Sequence, residues 1–211
     1  MDSTHKLLKG YGGTILVAVV VALIIRSFVF EAYHIPTSAM KPTLLSGDTI
    51  FVGKWPVVFH RNRLQYGDVI VYSLPGDLEH DHIKRVVGLA GDVVGVRKGR
   101  VSLNGNPLAI ELDPGSVCGK EDFSMGKSHG VCWDSALIQD YPPTKIPKRS
   151  VFVISDLRAK SSDKNGWGII PVSSIKGRAL WVWLSISPGA EDRGSGILPR
   201  FRWERMFRRI L

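Results

Sequence analysis

Apolar and polar positions alternate in short runs along most of this chain, and a single stretch near the start replaces that rhythm with continuous apolarity. The runs Thr49-Ile50-Phe51-Val52, Asp68 to Tyr72, Ile83 to Leu89, Val93 to Val96, Val101 to Leu103, Val151 to Ile154 and Arg178 to Ser185 are rich in β-branched and aromatic residues. Gly, Asp, Asn and Pro punctuate them. That pattern predicts a mostly antiparallel β domain. Lys98-Gly99 predicts a tight hairpin turn, and Asn104-Gly105-Asn106-Pro107 a second turn.

The continuous stretch runs from Tyr11 to Phe30, about the 20 residues a helix needs to cross a hydrocarbon core. Arg26 interrupts it only near its far end, where a long side chain can reach the headgroups. Lys6 and Lys9 precede the stretch, while Arg26 and Glu31 nearly cancel on the other flank, so the N-terminus is expected in the cytoplasm. A cleaved secretory signal is the competing reading, since the uninterrupted run Ile15 to Ile25 has only h-region length. The bulky Ser27-Phe28-Val29-Phe30-Glu31-Ala32-Tyr33 that follows offers no small-x-small cleavage point, and a signal anchor is the expectation.

At the other end, Trp203, Met206, Phe207, Ile210 and Leu211 recur at helical spacing, with Arg202, Arg205, Arg208 and Arg209 largely between them. This predicts a basic amphipathic helix, lying in a bilayer interface or packed on the β core.

The chain has 211 residues, 44% hydrophobic and 22% charged, enough for one sizeable core plus an anchor. Its formal net charge of +9 is spread along the sequence without a nucleic-acid-binding fingerprint, so an anionic lipid surface is the better partner. Cys118 and Cys132 are the only cysteines and flank a Gly- and Ser-containing loop. For a domain facing outward, a disulfide is expected in preference to two thiols.

Three separated stretches carry the chemistry. The first is His34-Ile35-Pro36-Thr37-Ser38-Ala39-Met40-Lys41-Pro42-Thr43-Leu44, and the second is His82-Ile83-Lys84-Arg85-Val86-Val87-Gly88-Leu89-Ala90-Gly91-Asp92. The third runs Ser155-Asp156-Leu157-Arg158, through Ser161-Ser162-Asp163, to Gly166-Trp167-Gly168. In the second, Lys84 shares a strand face with Val86, and a lysine buried among apolar groups loses its charge more readily. A neutral lysine can take the proton of a hydroxyl nucleophile.

In order and spacing these boxes resemble those of bacterial type I signal peptidases, membrane serine proteases that use a Ser/Lys pair. The resemblance spans roughly residues 10 to 185 and is weakest over 106–149. It implies a single N-terminal transmembrane helix followed by a β-barrel-like catalytic domain with a smaller inserted β region. The division expected is 1–10 cytoplasmic, 11–30 membrane anchor, 31–105 with 150–185 as catalytic core, 106–149 as insertion with Cys118 and Cys132, and 186–211 as basic tail.

By the same resemblance Lys84 is the general base and residue 39 the nucleophile, whose backbone N–H forms an oxyanion hole with the Thr37 hydroxyl on one extended segment. Ser161 orients the lysine, Asp156 pairs with Arg85, Arg158 matches the third box, and Asp163 organises its loop. Position 39, however, is Ala39. Ser38 beside it is a weaker candidate, because neighbouring side chains in a strand face opposite ways. Ala90 stands where the family has Pro, Ser155 where it has Gly, and Asn165 where it has Arg.

The resemblance implies a monomer in the inner membrane, with its catalytic domain outside, acting on exported preproteins at small-x-small sites. It implies no cofactor, and the six histidines show no metal-ligand spacing. The expected behaviour of this chain is peptidase-like binding without cleavage. The alternative is a non-catalytic homologue that binds leader peptides or assists an active peptidase.

Overall fold

In the computed structural model, residues 11, 13–21, 30–54, 64–74, 76–123, 127–134, 140–158, 167–187 and 200–210 are described. The chain runs β1 (Phe30–His34), β2 (Asp48–Gly53), β3 (Val69–Leu74), β4 (Asp77–Gly88), β5 (Val93–Arg97), β6 (Arg100–Leu103), β7 (Asn106–Pro107) and β8 (Ala109–Leu112). It continues through β9 (Cys118–Asp122), β10 (Ser128–Trp133), β11 (Tyr141–Lys145), β12 (Ser150–Ile154), β13 (Leu157–Arg158), β14 (Gly168–Pro171), β15 (Ile175–Ser187) and β16 (Arg200–Phe201). The predicted β domain is therefore present, and each apolar run singled out in the sequence lies in or across a strand.

The largest sheet has the order β1-β2-β15-β3-β4-β12-β14, with β16 added to β15. Its centre is β3, whose sequence Val-Ile-Val-Tyr-Ser-Leu is buried on both faces. Val69 and Val71 enter one core with Met40, Leu44, Ile50 and Val182. Ile70 and Tyr72 enter another with Val86, Val153 and Ile170. A strand that feeds two cores cannot afford the polar alternation of a one-sided strand, which is why this run is nearly all apolar.

Two four-stranded sheets flank it, ordered β13-β10-β9-β8 and β11-β5-β6-β7. β5 and β6 leave the large sheet to pair with β7 and β11 around Val94, Val96 and Val101. The two predicted turns join β5 to β6 and β6 to β7. Lys98 and Gly99 have φ of 48° and 72°, and Asn104 and Gly105 have 53° and 85°. Paired positive φ values match the right-handed twist of hairpin strands, which is what selects Asn-Gly and Lys-Gly there.

At the N-terminal end residues 13–21 are helical and exposed. Among the described residues no helix is long and apolar enough to cross a membrane, and 22–29 of the expected span lie outside them. Phe30, expected as the last anchor residue, instead begins β1 opposite Gly53.

The tail departs from the helix that its periodicity predicts. It forms β16 and a single 3-10 turn over Trp203–Arg205, and then runs back along β15. Its backbone groups are satisfied by that strand: Phe207 N–H donates to Val182 O at 2.7 Å and Ile210 N–H to Leu180 O at 2.9 Å. Arg205, drawn as a polar-face residue by the helical pattern, is buried and donates to Asp48 at 2.7 Å and to Thr43 O at 3.0 Å. A buried carboxylate claims its partner more strongly than helical spacing can hold it in a helix.

Candidate active site

Strand β4 delivers two consecutive basic side chains, Lys84 and Arg85, to opposite faces, as the pleat requires. Both are buried, Lys84 to 2% exposure and Arg85 to 0%. Registry decides their partners. Ile154 at the end of β12 pairs with Arg85 in the antiparallel ladder, so the next residue, Ser155, comes opposite Lys84. Lys84 Nζ donates to Ser155 Oγ at 2.8 Å.

Arg85 turns the other way and clamps Asp156 with two hydrogen bonds, Nε to Oδ1 and Nη2 to Oδ2, both 2.7 Å. The same guanidinium donates to Gly67 O at 2.6 Å and to Thr43 Oγ1 at 3.0 Å, and the Thr43 hydroxyl donates to Asp156. Burial by itself would lift the Asp156 carboxyl, but the Arg85 charge and its hydrogen bonds outweigh it and hold the group below the ordinary carboxylate range. The pairing of Asp156 with Arg85 is the one expected from the family boxes.

Arg158 is equally buried. Its Nη2 meets Glu121 at 2.6 Å, Nη1 donates to Gly99 O at 2.9 Å, and Nε donates to Ser155 O at 2.8 Å. Burial would raise Glu121, yet the Arg158 charge keeps it low. Beside it His129 Nε2 stands 3.3 Å from Glu121 and 3.8 Å from Asp156 Oδ1, with Phe123 stacked on its ring. Burial pushes this imidazole below its usual value, with Glu121 only partly opposing.

The first box closes this corner. The Ala39 carbonyl accepts from Leu157 N–H at 3.1 Å, so the segment around residue 39 is tied to the segment that carries Ser155 and Asp156. Past His34 the first box belongs to no strand. Residues 39–43 and 46–47 are turns, with Lys41 N–H bonded to Ser38 O and Leu44 N–H to Met40 O. Pro36 and Pro42 have no N–H to give a ladder, which ends the strand pairing at Ile35. The pleat argument that separated Ser38 from position 39 therefore has no strand to act on. Thr37 and Ser38 are exposed, and Ala39 is half-buried with only a methyl to present.

All three boxes thus meet at residues 155–157. Ser161 and Asp163 lie outside the described residues. Four polar residues of the corner had no role assigned in the sequence: Ser155, read only as a departure from Gly, Thr43, Glu121 and His129. Thr43 lies inside a box and could have been suspected. Glu121 and His129 lie in polar strands of the weakest stretch and carry no local signal at all. The expected disulfide is formed between Cys118 and Cys132, which face each other across β9 and β10.

A buried lysine held by a hydroxyl, beside a doubly clamped carboxylate, is a structure for keeping one amine in place in a dry site. The family model described as signal peptidase, peptidase S26, matches residues 8–184. Signal peptidase I P of Bacillus subtilis subsp. natto is 33% identical over 84% of this chain and 89% of its own length. Signal peptidase I of Leptolyngbya laminosa is 36% identical over 79% of this chain and 75% of its own, and a probable signal peptidase I-1 of Synechocystis is 35% identical over 82% and 81%. A crystal structure of a signal peptidase I from Enterococcus faecalis matches 56% of this chain and 97% of that chain at 19% identity, with a TM-score of 0.35 too low to add to these. Lys84, Arg85 and Asp156, gathered here from two boxes and tied to the third, are thus those of a chain that belongs to the signal peptidase family, peptidase S26.

Proposed function

We propose that this chain binds the leader peptides of exported preproteins in a signal-peptidase site and, as it stands, does not cleave them. The observation that carries the reading is the pairing of a buried, hydrogen-bonded lysine with a nucleophile position that has no hydroxyl. Lys84 is 2% exposed and hydrogen-bonded, while residue 39 ends in a methyl. In the Ala39→Ser form, the hydroxyl oxygen would bond to the scissile carbonyl carbon as its proton passes to neutral Lys84 Nζ. The resulting oxyanion would be held by the residue 39 N–H and the Thr37 hydroxyl. Lys84 would then give the proton to the leaving amine, and a water deprotonated by the same lysine would release the acyl group.

The chain acts at a membrane in this reading. Residues Ile15, Leu16 and Val17 on the N-terminal helix are 56–65% exposed, an apolar surface that nothing in the described residues covers. With Lys6 and Lys9 before it, that segment fits a single-pass anchor of the inner membrane, with its N-terminus in the cytoplasm and the β domain outside.

The test has two arms. A preprotein should be captured by the Ala39 chain, and capture should fall steeply when the Ala just before the cleavage point is replaced by Phe, because a small pocket cannot expand without overpacking. In Ala39→Ser, cleavage should rise by several orders of magnitude over the parent. Equal capture of both preproteins removes the selective groove. An inactive Ala39→Ser chain with selective capture favours the non-catalytic homologue.

A further inference from the structure

We infer that Ser155 is a positioning residue for Lys84, a role of the kind that the family resemblance gives to Ser161. The inference rests on the reading of Lys84 as general base and goes beyond it, since Ser155 stands where the family pattern has Gly and therefore no side chain.

Three observations carry it. The ladder between β4 and β12 pairs Arg85 with Ile154, so the strand register itself sets Ser155 across from Lys84, and the 2.8 Å contact follows from backbone pairing. The Ser155 backbone is then fixed from both sides. Its carbonyl accepts from Arg158 Nε at 2.8 Å, the next residue is held in the Arg85 clamp, and the one after donates to Ala39 O. Finally, Ser155 is only 6% exposed. A hydroxyl closed off from solvent suits holding an amine and not meeting a substrate carbonyl.

The chemistry also fits both halves of a proton cycle. A hydroxyl accepts from an ammonium and, by rotating, donates to the lone pair of a neutral amine, so one side chain can aim Nζ in either state. The bond to the ammonium is the stronger of the two, being charge-assisted.

The decisive experiment follows the Lys84 side-chain nitrogen by NMR titration in the chain as it stands, with no catalysis needed. Ser155→Ala should move the Lys84 titration to lower pH, because the stronger bond, the one to the charged form, is lost. The charged groups around the contact, Arg85 with Asp156 and Arg158 with Glu121 and His129, are the same in both proteins. In the Ala39→Ser background, Ser155→Ala should lower kcat by roughly 10- to 100-fold with KM unchanged. The acid limb of its pH profile should shift the same way, and Ser155→Thr should restore both. A Lys84 titration that ignores Ser155→Ala but moves with Ser161→Ala overturns the assignment. If Lys84 responds to Ser155→Ala while Ala39→Ser remains inactive, the reading of Lys84 as base falls and the contact stands.

Discussion

Lys84, Arg85 and Arg158 are among the largest fully buried side chains of the protein. The two arginines are matched by Asp156 and Glu121. Removing either carboxylate would strand a buried cation, at a cost of about 3–5 kcal/mol. Lys84 differs in its chemistry: its amine donates to the Ser155 hydroxyl and, unlike a guanidinium, can lose its proton. That difference carries a prediction at this scale. In the Ala39→Ser background, Lys84→Arg should be as damaging as Lys84→Ala, since a guanidinium stays protonated and cannot accept the hydroxyl proton. Activity with Lys84 intact should rise with pH as the amine loses its proton. Measuring kcat/KM across pH for the three proteins decides this, and substantial cleavage by Lys84→Arg excludes the lysine as base.

At the scale of elements, the hairpin of β9 and β10 buttresses the site. Cys132 pairs with Leu157 in parallel register, and Cys132 N–H donates to Asp156 O at 3.0 Å, so the stapled hairpin holds the segment that positions Ser155 and Asp156. Gly130 lets it come close: a Cβ there would lie 2.5 Å from Pro42 Cγ of the first box. The next strand residue inward, His129, is held below its ordinary pKa, so the folded chain binds its proton less readily than the unfolded chain does. Stability is then constant above about pH 6.5 and falls as pH drops below that value. The depressed carboxyls of Asp156 and Glu121 add a second loss in the same direction below about pH 4. Urea midpoints between pH 8 and 3 should show both limbs in the parent and only the lower one in His129→Gln. Persistence of the upper limb in that variant assigns it to another group.

Over the whole molecule, the first strand and the tail meet on one aromatic edge. Phe30 at the start of β1 lies 6.0 Å from Trp181 of β15, Phe51 lies 5.5 Å from Trp183, and Trp183 lies 6.0 Å from Phe207 of the tail. The exposed Trp203 and Phe201 stack on each other in the tail. Of these rings tryptophan is the kind enriched at membrane–water interfaces, and Phe30 closes the apolar stretch read from the sequence. The expected topology places the β domain outside. Protease added to intact spheroplasts should digest the domain and spare a tag placed before Met1, and digestion of the tag with the domain protected would reverse the orientation.

Local sequence determined the features that depend on local physics. The alternating runs specified strands, the Lys98-Gly99 and Asn104-Gly105 pairs specified turns with positive φ, and the pleat alone put Lys84 and Arg85 on opposite faces. The boxes also pointed to Asp156 as the partner of Arg85, through resemblance. What they did not contain is which strand lies beside which. Ser155 and Lys84 are 71 residues apart, and only the register of β12 on β4 makes them neighbours. Glu121 and His129 read as ordinary polar residues until Arg158 and Asp156 are packed against them. The tail has the period of a helix, yet Asp48 and the edge of β15 draw it into a strand and a turn. Propensity and turn chemistry act over a few residues, whereas satisfying a buried charge depends on segments brought together from anywhere in the chain, so only the tertiary structure decided those contacts.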